Sequence, residues 1–196
     1  MAGTAAGRDG SVAINGIWCE PPQTTEGDAT RNSLSPVHPA WRHGHEFSYQ
    51  RTAGGAFSGL FNLSDEELRQ RCAVRTIATG NSPCRISLTD AEPGDELLLV
   101  NYEHHPVNSP YRMRFAVYVR EGERHFDAVD EIPEQLRRRM LAVRAFDDAG
   151  MMIGHELIDG EHAEQAIDRL FANGAAAYLH VHYASPGCYA ARVDRA

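Results

Sequence analysis

Leu141-Ala142-Val143-Arg144-Ala145-Phe146, then Asp147-Asp148-Ala149-Gly150, then Met151 to Ile158, is the stretch on which the fold turns. Two apolar-rich runs of strand length flank four residues of turn chemistry that end on a glycine, which tolerates positive φ. That arrangement predicts a hairpin, and a hairpin makes the surrounding sheet antiparallel. Just beyond it, Asp159-Gly160 precedes residues 161–172, where Ala163, Ala166, Ile167, Leu170 and Phe171 recur at the spacing of one helical face. One long helix is expected here, stopped by a left-handed turn at Asn173-Gly174. Residues 176–183 and 188–193 read as strands joined across Ser185-Pro186-Gly187.

Working back toward the N-terminus, Ile132-Pro133-Glu134 opens a short helix, with proline in the first turn where its missing N–H is harmless. Residues 111–120 form a strand. Residues 96–102 form a buried one, because the run Leu97-Leu98-Leu99-Val100 is continuous rather than alternating. Ala73 to Thr79 is a further strand, and another begins after Gly80-Asn81-Ser82-Pro83, placing Cys84, Ile86 and Leu88 on one face. Ser64-Asp65-Glu66-Glu67 is a capping box for a short helix ending near Arg71. Phe47 to Arg51 alternates as a short strand. The resulting expectation is an α+β domain: a mainly antiparallel sheet of about seven or eight strands, one long helix in the C-terminal half, and short helices.

Residues 1–46 differ from this pattern. Gly, Pro, Ser, Thr and Asn dominate, and no apolar period of two or 3.6 recurs, so a disordered extension is expected ahead of a single domain at 47–196. Trp18, Trp41, His38, His43 and His45 are the features there with binding chemistry. The chain of 196 residues carries a net charge of −8, which argues against nucleic acid as a partner, since polyanions are held by clustered Lys and Arg. Arg137-Arg138-Arg139 is the one dense basic run and reads as a solvated helix face. No apolar run approaches the roughly 20 residues that cross a bilayer, and the first ten residues hold no secretory stretch, so no membrane partner and a cytoplasmic location are expected. Cys19, Cys72, Cys84 and Cys188 lack C-x-x-C spacing and are expected as free thiols.

Candidate chemistry gathers at histidines and cysteines. In Leu179-His180-Val181-His182-Tyr183 the period of a strand puts both imidazoles on one face, where they could share a metal. A site needs a third ligand, and His104, Glu103, Cys84 and Cys188 are the candidates. The bland alternative is a polar sheet face with two half-exposed histidines. Glu103-His104-His105 is placed in a loop after the buried strand, where a carboxylate beside histidines could tune a general base, although adjacent residues in an extended loop usually point apart, which disfavours a cooperating dyad. Cys188, after the turn at Gly187, could be a nucleophile if His180 or His182 acted as its base; the alternative is a small buried residue starting a strand. Phosphate-cradling loops, nucleophile elbows and H-E-x-x-H helices are absent from the sequence.

The ordered segments Pro83 to Leu88, Asp90 to Asp95, Asn101-Tyr102-Glu103-His104, Pro110-Tyr111-Arg112, Val119 to Gly122, His180-Val181-His182 and Gly187 to Arg192 together resemble the bacterial family known as domain of unknown function 1203. The resemblance runs from about Phe47 to Arg195. It implies no reaction, substrate or cofactor, and no catalytic residue follows from it. Met113-Arg114-Phe115 departs from the family pattern, which has a small residue, a Ser and often a His or Gly there. The functional expectation is a small ligand- or protein-binding module. The alternative is a metal-dependent or Cys–His enzyme built on His180, His182 and Cys188, with His104 and Cys84 as further candidates. Cofactor, substrate and oligomeric state are left open.

Overall fold

The computed structural model describes residues 46–49 and 57–196. The predicted hairpin forms: β7 (Met140–Phe146) pairs antiparallel with β8 (Met152–Asp159), and the Asp147 carboxylate holds the turn by accepting from the Met151 N–H at 2.9 Å. β7 also pairs with β9 (Tyr178–Tyr183), β9 with β10 (Tyr189–Arg195), and β10 with β1 (Phe47–Tyr49), giving a five-stranded sheet of order β1-β10-β9-β7-β8. A second sheet has the order β2-β5-β6, from β2 (Ala73–Ile77), β5 (Glu96–His105) and β6 (Met113–Arg120). β3 (Ser82–Pro83) and β4 (Asp90–Ala91) make a two-stranded ribbon. Every strand pairing in the three sheets is antiparallel.

Alternation along the central strands sorts two interiors. Leu141, Val143 and Ala145 of β7 and Leu179, Val181 and Tyr183 of β9 face one way and pack with helix α3 (Ala163–Phe171), which contributes Ala163, Ala166, Ile167, Leu170 and Phe171 to the same core. Burial of Ile167 and Phe171 stabilises this layer by roughly 1.5–3 kcal/mol each. Leu98 and Val100 of β5 pack with Val117 and Val119 of β6 and with Leu68 of helix α1 (Asp65–Gln70) in a second core. α1 begins with the expected capping box: the Ser64 hydroxyl accepts the Glu67 N–H and the Glu67 carboxylate accepts the Ser64 N–H. Helix α2 (Glu134–Arg137) follows Pro133 as expected.

The fold class differs from the expected one. Among the described residues the chain is mostly antiparallel sheet, with ten strands in three sheets and three short α-helices, and it has no long helix. The apolar stripe from Ala163 to Phe171 is helical, but Gly160–His162 winds as a 3₁₀ turn that lies against the end of α2, its Gly160 N–H donating to the Arg139 carbonyl at 2.9 Å. Nor is a left-handed glycine the stop. Gly174 lies outside the positive-φ residues, and the last carbonyls are met by the Arg195 guanidinium, which donates to Phe171 O at 2.6 Å while covering the Phe171 ring.

The expected strand at Cys84, Ile86 and Leu88 is absent as well. The chain leaves the ribbon after Pro83 and turns, with Leu88 at φ 51°, while Ile86 and Leu88 remain buried. Cys84, Arg85 and Ile86 are buried in succession by a turn tucked between layers, which apolar alternation in the sequence does not distinguish from a strand. Cys84 and Cys188 are free and buried; Cys72 is disulfide-bonded, which corrects the free thiol expected there. The extension expected at residues 1–46 lies outside the described residues except for Glu46. No helix among the described residues is long and apolar enough to cross a membrane.

Candidate metal centre

Strand β9 is buried on both faces. Opposite its core face, His180 and His182 are each 0% exposed, not the half-exposed pair of a polar sheet surface. What covers them is the far end of β5, which does not stop at Tyr102 but continues as strand through Glu103 and His104 to His105. Its partners on β6 pass from Glu103↔Arg114 to His105↔Met113, so His104 is the extra residue of a β-bulge. A bulge re-aims side chains. Here consecutive histidines both turn inward, His104 at 7% and His105 at 1% exposure, where regular alternation would have sent one of them out.

The consequence is a cluster of His104 from one sheet with His180 and His182 from the other. One ring nitrogen from each lies within 4.8 Å of the others. Ring centroids are 5.8 Å apart for His104–His180, 5.4 Å for His104–His182 and 6.1 Å for His180–His182. Tyr189, opposite His182 in the β9–β10 register, stacks on His104 at 4.5 Å with an interplanar angle of 18°. Among the described residues this is the one group of three or more His, Cys, Asp or Glu side chains so disposed.

Hydrogen bonding divides the four buried imidazoles into two kinds. His105 is satisfied: Nδ1 lies 2.7 Å from the Tyr111 carbonyl and Nε2 2.8 Å from the Tyr178 hydroxyl. A carbonyl only accepts, so Nδ1 carries the proton and Tyr178 donates to Nε2. His182 has one such anchor, with Nδ1 donating to Gly187 O at 3.1 Å, which leaves Nε2 as a bare lone pair. That nitrogen, and both nitrogens of His104 and His180, are buried with no hydrogen-bond partner. An unmet buried polar atom costs about 1–3 kcal/mol, and five of them in one place is a large local debt.

Electrostatics keep the cluster neutral. Burial is the main cause at each ring, lowering His104 to about 4 and His182 to about 3 and holding His180 well below the ordinary imidazole range. The backbone of Tyr102 opposes the shift at His104 without meeting hydrogen-bond geometry, and the Arg144 guanidinium adds to it at His104 and His182. Near pH 7 all three rings are therefore neutral, the protonation state that ligates metal.

The other candidates lie elsewhere. Cys84 belongs to a separate small core with Ala78, Ala91 and Leu97; its thiol points to Ser82 O at 3.8 Å, and burial pushes it up to about 12. Cys188 receives a hydrogen bond at 3.1 Å from Arg85, a buried guanidinium that also donates to the carbonyls of Tyr189 and Pro83 and covers the Tyr183 ring. Among the described residues no hydrogen bond joins Cys188 to His180 or His182, and His182 Nδ1 is engaged by Gly187 O instead. Glu103 is taken by Arg112 at 2.6 Å. Arg144, directly opposite His180 in the β7–β9 register, escaped the sequence reading, although an arginine sharing a strand face with Ala142 and Phe146 was a signal that this face meets something polar.

The fold and the cluster together define a β-rich domain that holds three neutral imidazoles between two antiparallel sheets. The chain belongs to the family described as Protein of unknown function (DUF1203), whose model matches residues 81–195. That span contains all three histidines and leaves out β1, α1 and β2. No curated protein and no solved structure matches the chain.

Proposed function

We propose that this chain is a metal-binding domain in which His104, His180 and His182 hold one divalent transition-metal ion of the zinc class. The observation that carries this reading is the convergence of three buried, neutral imidazoles whose facing nitrogens have no protein partner. Three features support it. The donors are all nitrogen, the set that suits zinc and its neighbours. The His182 Nδ1–H is fixed on a backbone carbonyl, the outer hydrogen bond that orients ligating histidines. Tetrahedral nitrogens at about 2.05 Å from a metal stand about 3.3 Å apart, so ring rotations on the order of an ångström close the present set.

Three protein ligands leave a fourth position for water or a substrate atom, the arrangement of Lewis-acid sites rather than closed structural ones. A dication on three neutral ligands also keeps its full charge, which favours an anion in that fourth place.

Elemental analysis of protein purified without a histidine tag, followed by cobalt titration of the chelator-treated protein, tests the proposal. One equivalent of metal and a tetrahedral cobalt absorption are expected. Both should vanish in His104→Ala and in His180→Ala/His182→Ala, and both should persist in His155→Ala, a control outside the cluster. Absence of stoichiometric metal in the folded wild-type protein, or binding that survives in the ligand variants, would overturn it.

A further inference from the structure

The strongest feature outside the histidine cluster is a cavity of about 320 Å³ on the same face of the five-stranded sheet, one strand away. Its wall is mainly apolar, with Tyr111, Phe146 and Met152 among the lining residues, and its polar members are Arg144, His155 and Glu156. Cavities of this size, apolar with a few polar groups, are typical of small-molecule sites. The wall is shared with the cluster, because the Phe146 ring lies 5.0 Å from the His180 ring and Arg144 pairs directly with His180 across β7–β9.

Charge decides what the cavity accepts. Arg144 is half-buried, and among the described residues its one hydrogen-bond partner is the weakly accepting Met113 sulfur at 3.7 Å. Among the described residues no carboxylate pairs with it, so most of its five N–H donors are uncommitted. The acid lining the same cavity, Glu156, is engaged by Arg169 at 3.1 Å. A guanidinium partly withdrawn from water without an anion is poorly compensated, and a carboxylate answers it with two parallel hydrogen bonds.

We infer that this cavity binds a small monocarboxylate with an apolar body, its carboxylate held by Arg144 and its body seated against Tyr111 and Met152. The inference rests on the metal reading only in its second part: an ion held by the histidines would add positive charge across the shared wall, and the carboxylate would bind more tightly.

Calorimetric titration with phenylacetate, and with uncharged phenylacetamide as its control, tests both parts on the full chain. Chelator-treated wild-type protein should bind phenylacetate about tenfold or more tighter than the amide, the margin of a charge-assisted hydrogen bond. Arg144→Met should erase that margin and Arg144→Lys should restore part of it. Removing an unpaired cation leaves Arg144→Met folded, which circular dichroism verifies. Zinc should tighten phenylacetate in the wild type and have no effect in His180→Ala/His182→Ala. If phenylacetate fails to bind, or binds Arg144→Met as well as wild type, the inference is overturned even where zinc binds stoichiometrically. If Arg144-dependent binding occurs without any uptake of zinc, the cavity assignment stands and the metal reading falls.

Discussion

Gly160 illustrates how much one missing side chain can determine. A Cβ there would overlap the Leu136 carbonyl and come within 2.7 Å and 2.8 Å of the Arg139 and Arg137 carbonyls, all backbone atoms that have no rotamer to change. The close approach lets the 3₁₀ turn dock on α2 and starts α3 at Ala163. Gly160→Ala should therefore destabilise the domain by about 3 kcal/mol or more, as overpacking against rigid neighbours does, and urea denaturation would measure it. Cys84 makes a prediction of a different kind. Its thiol titrates near 9.0 in the unfolded chain and at about 12 when buried in the fold. Between those values the unfolded chain has lost a proton that the folded one keeps, so stability is intact below pH 9 and declines as pH rises. The slope is about 1.4 kcal/mol per pH unit for this group. Denaturation midpoints from pH 8 to 10.5 should show it, Cys84→Ala should remove it, and the native thiol should resist alkylation.

At the scale of elements, local chemistry and long-range packing had different visibility. The cap of α1 was legible because a capping box is contained within four residues. Ser64→Ala should cost about 1 kcal/mol by the same urea measurement, with Leu68 still buried. The β7–β8 hairpin and the shared face of His180 and His182 were legible for the same reason: turn residues and period two are local. β5 was only half legible. Its apolar run was clear, but its continuation through Glu103, His104 and His105 depends on β6 lying alongside, and the bulge at His104 depends on where that pairing slips. No residue type in the triplet announces a bulge, so the third histidine of the cluster stood among the candidates without a reason to prefer it. The helix was overestimated for the converse reason, since its stripe was real while its start was set by contact with α2, distant in sequence.

On the scale of the whole molecule, the histidines occupy the contact between two sheets, and this gives a metal a structural consequence beyond its chemistry. His104 belongs to the three-stranded sheet, whereas His180 and His182 belong to the five-stranded one. An ion bound by all three ties the layers together and binds the unfolded chain, in which the ligands are dispersed, far less well. Stability should then follow mass action, gaining about 1.4 kcal/mol for each tenfold rise in free zinc above the dissociation constant. Urea denaturation at buffered zinc concentrations would measure that slope, and a chelator should reverse the gain. His104→Ala discriminates between this and a local effect, because it leaves both histidines of β9 in place and removes only the ligand from the opposite sheet. Loss of the zinc dependence in that variant is expected. Retention of the full slope would mean that β9 alone holds the ion and that the two sheets are joined by packing rather than by metal.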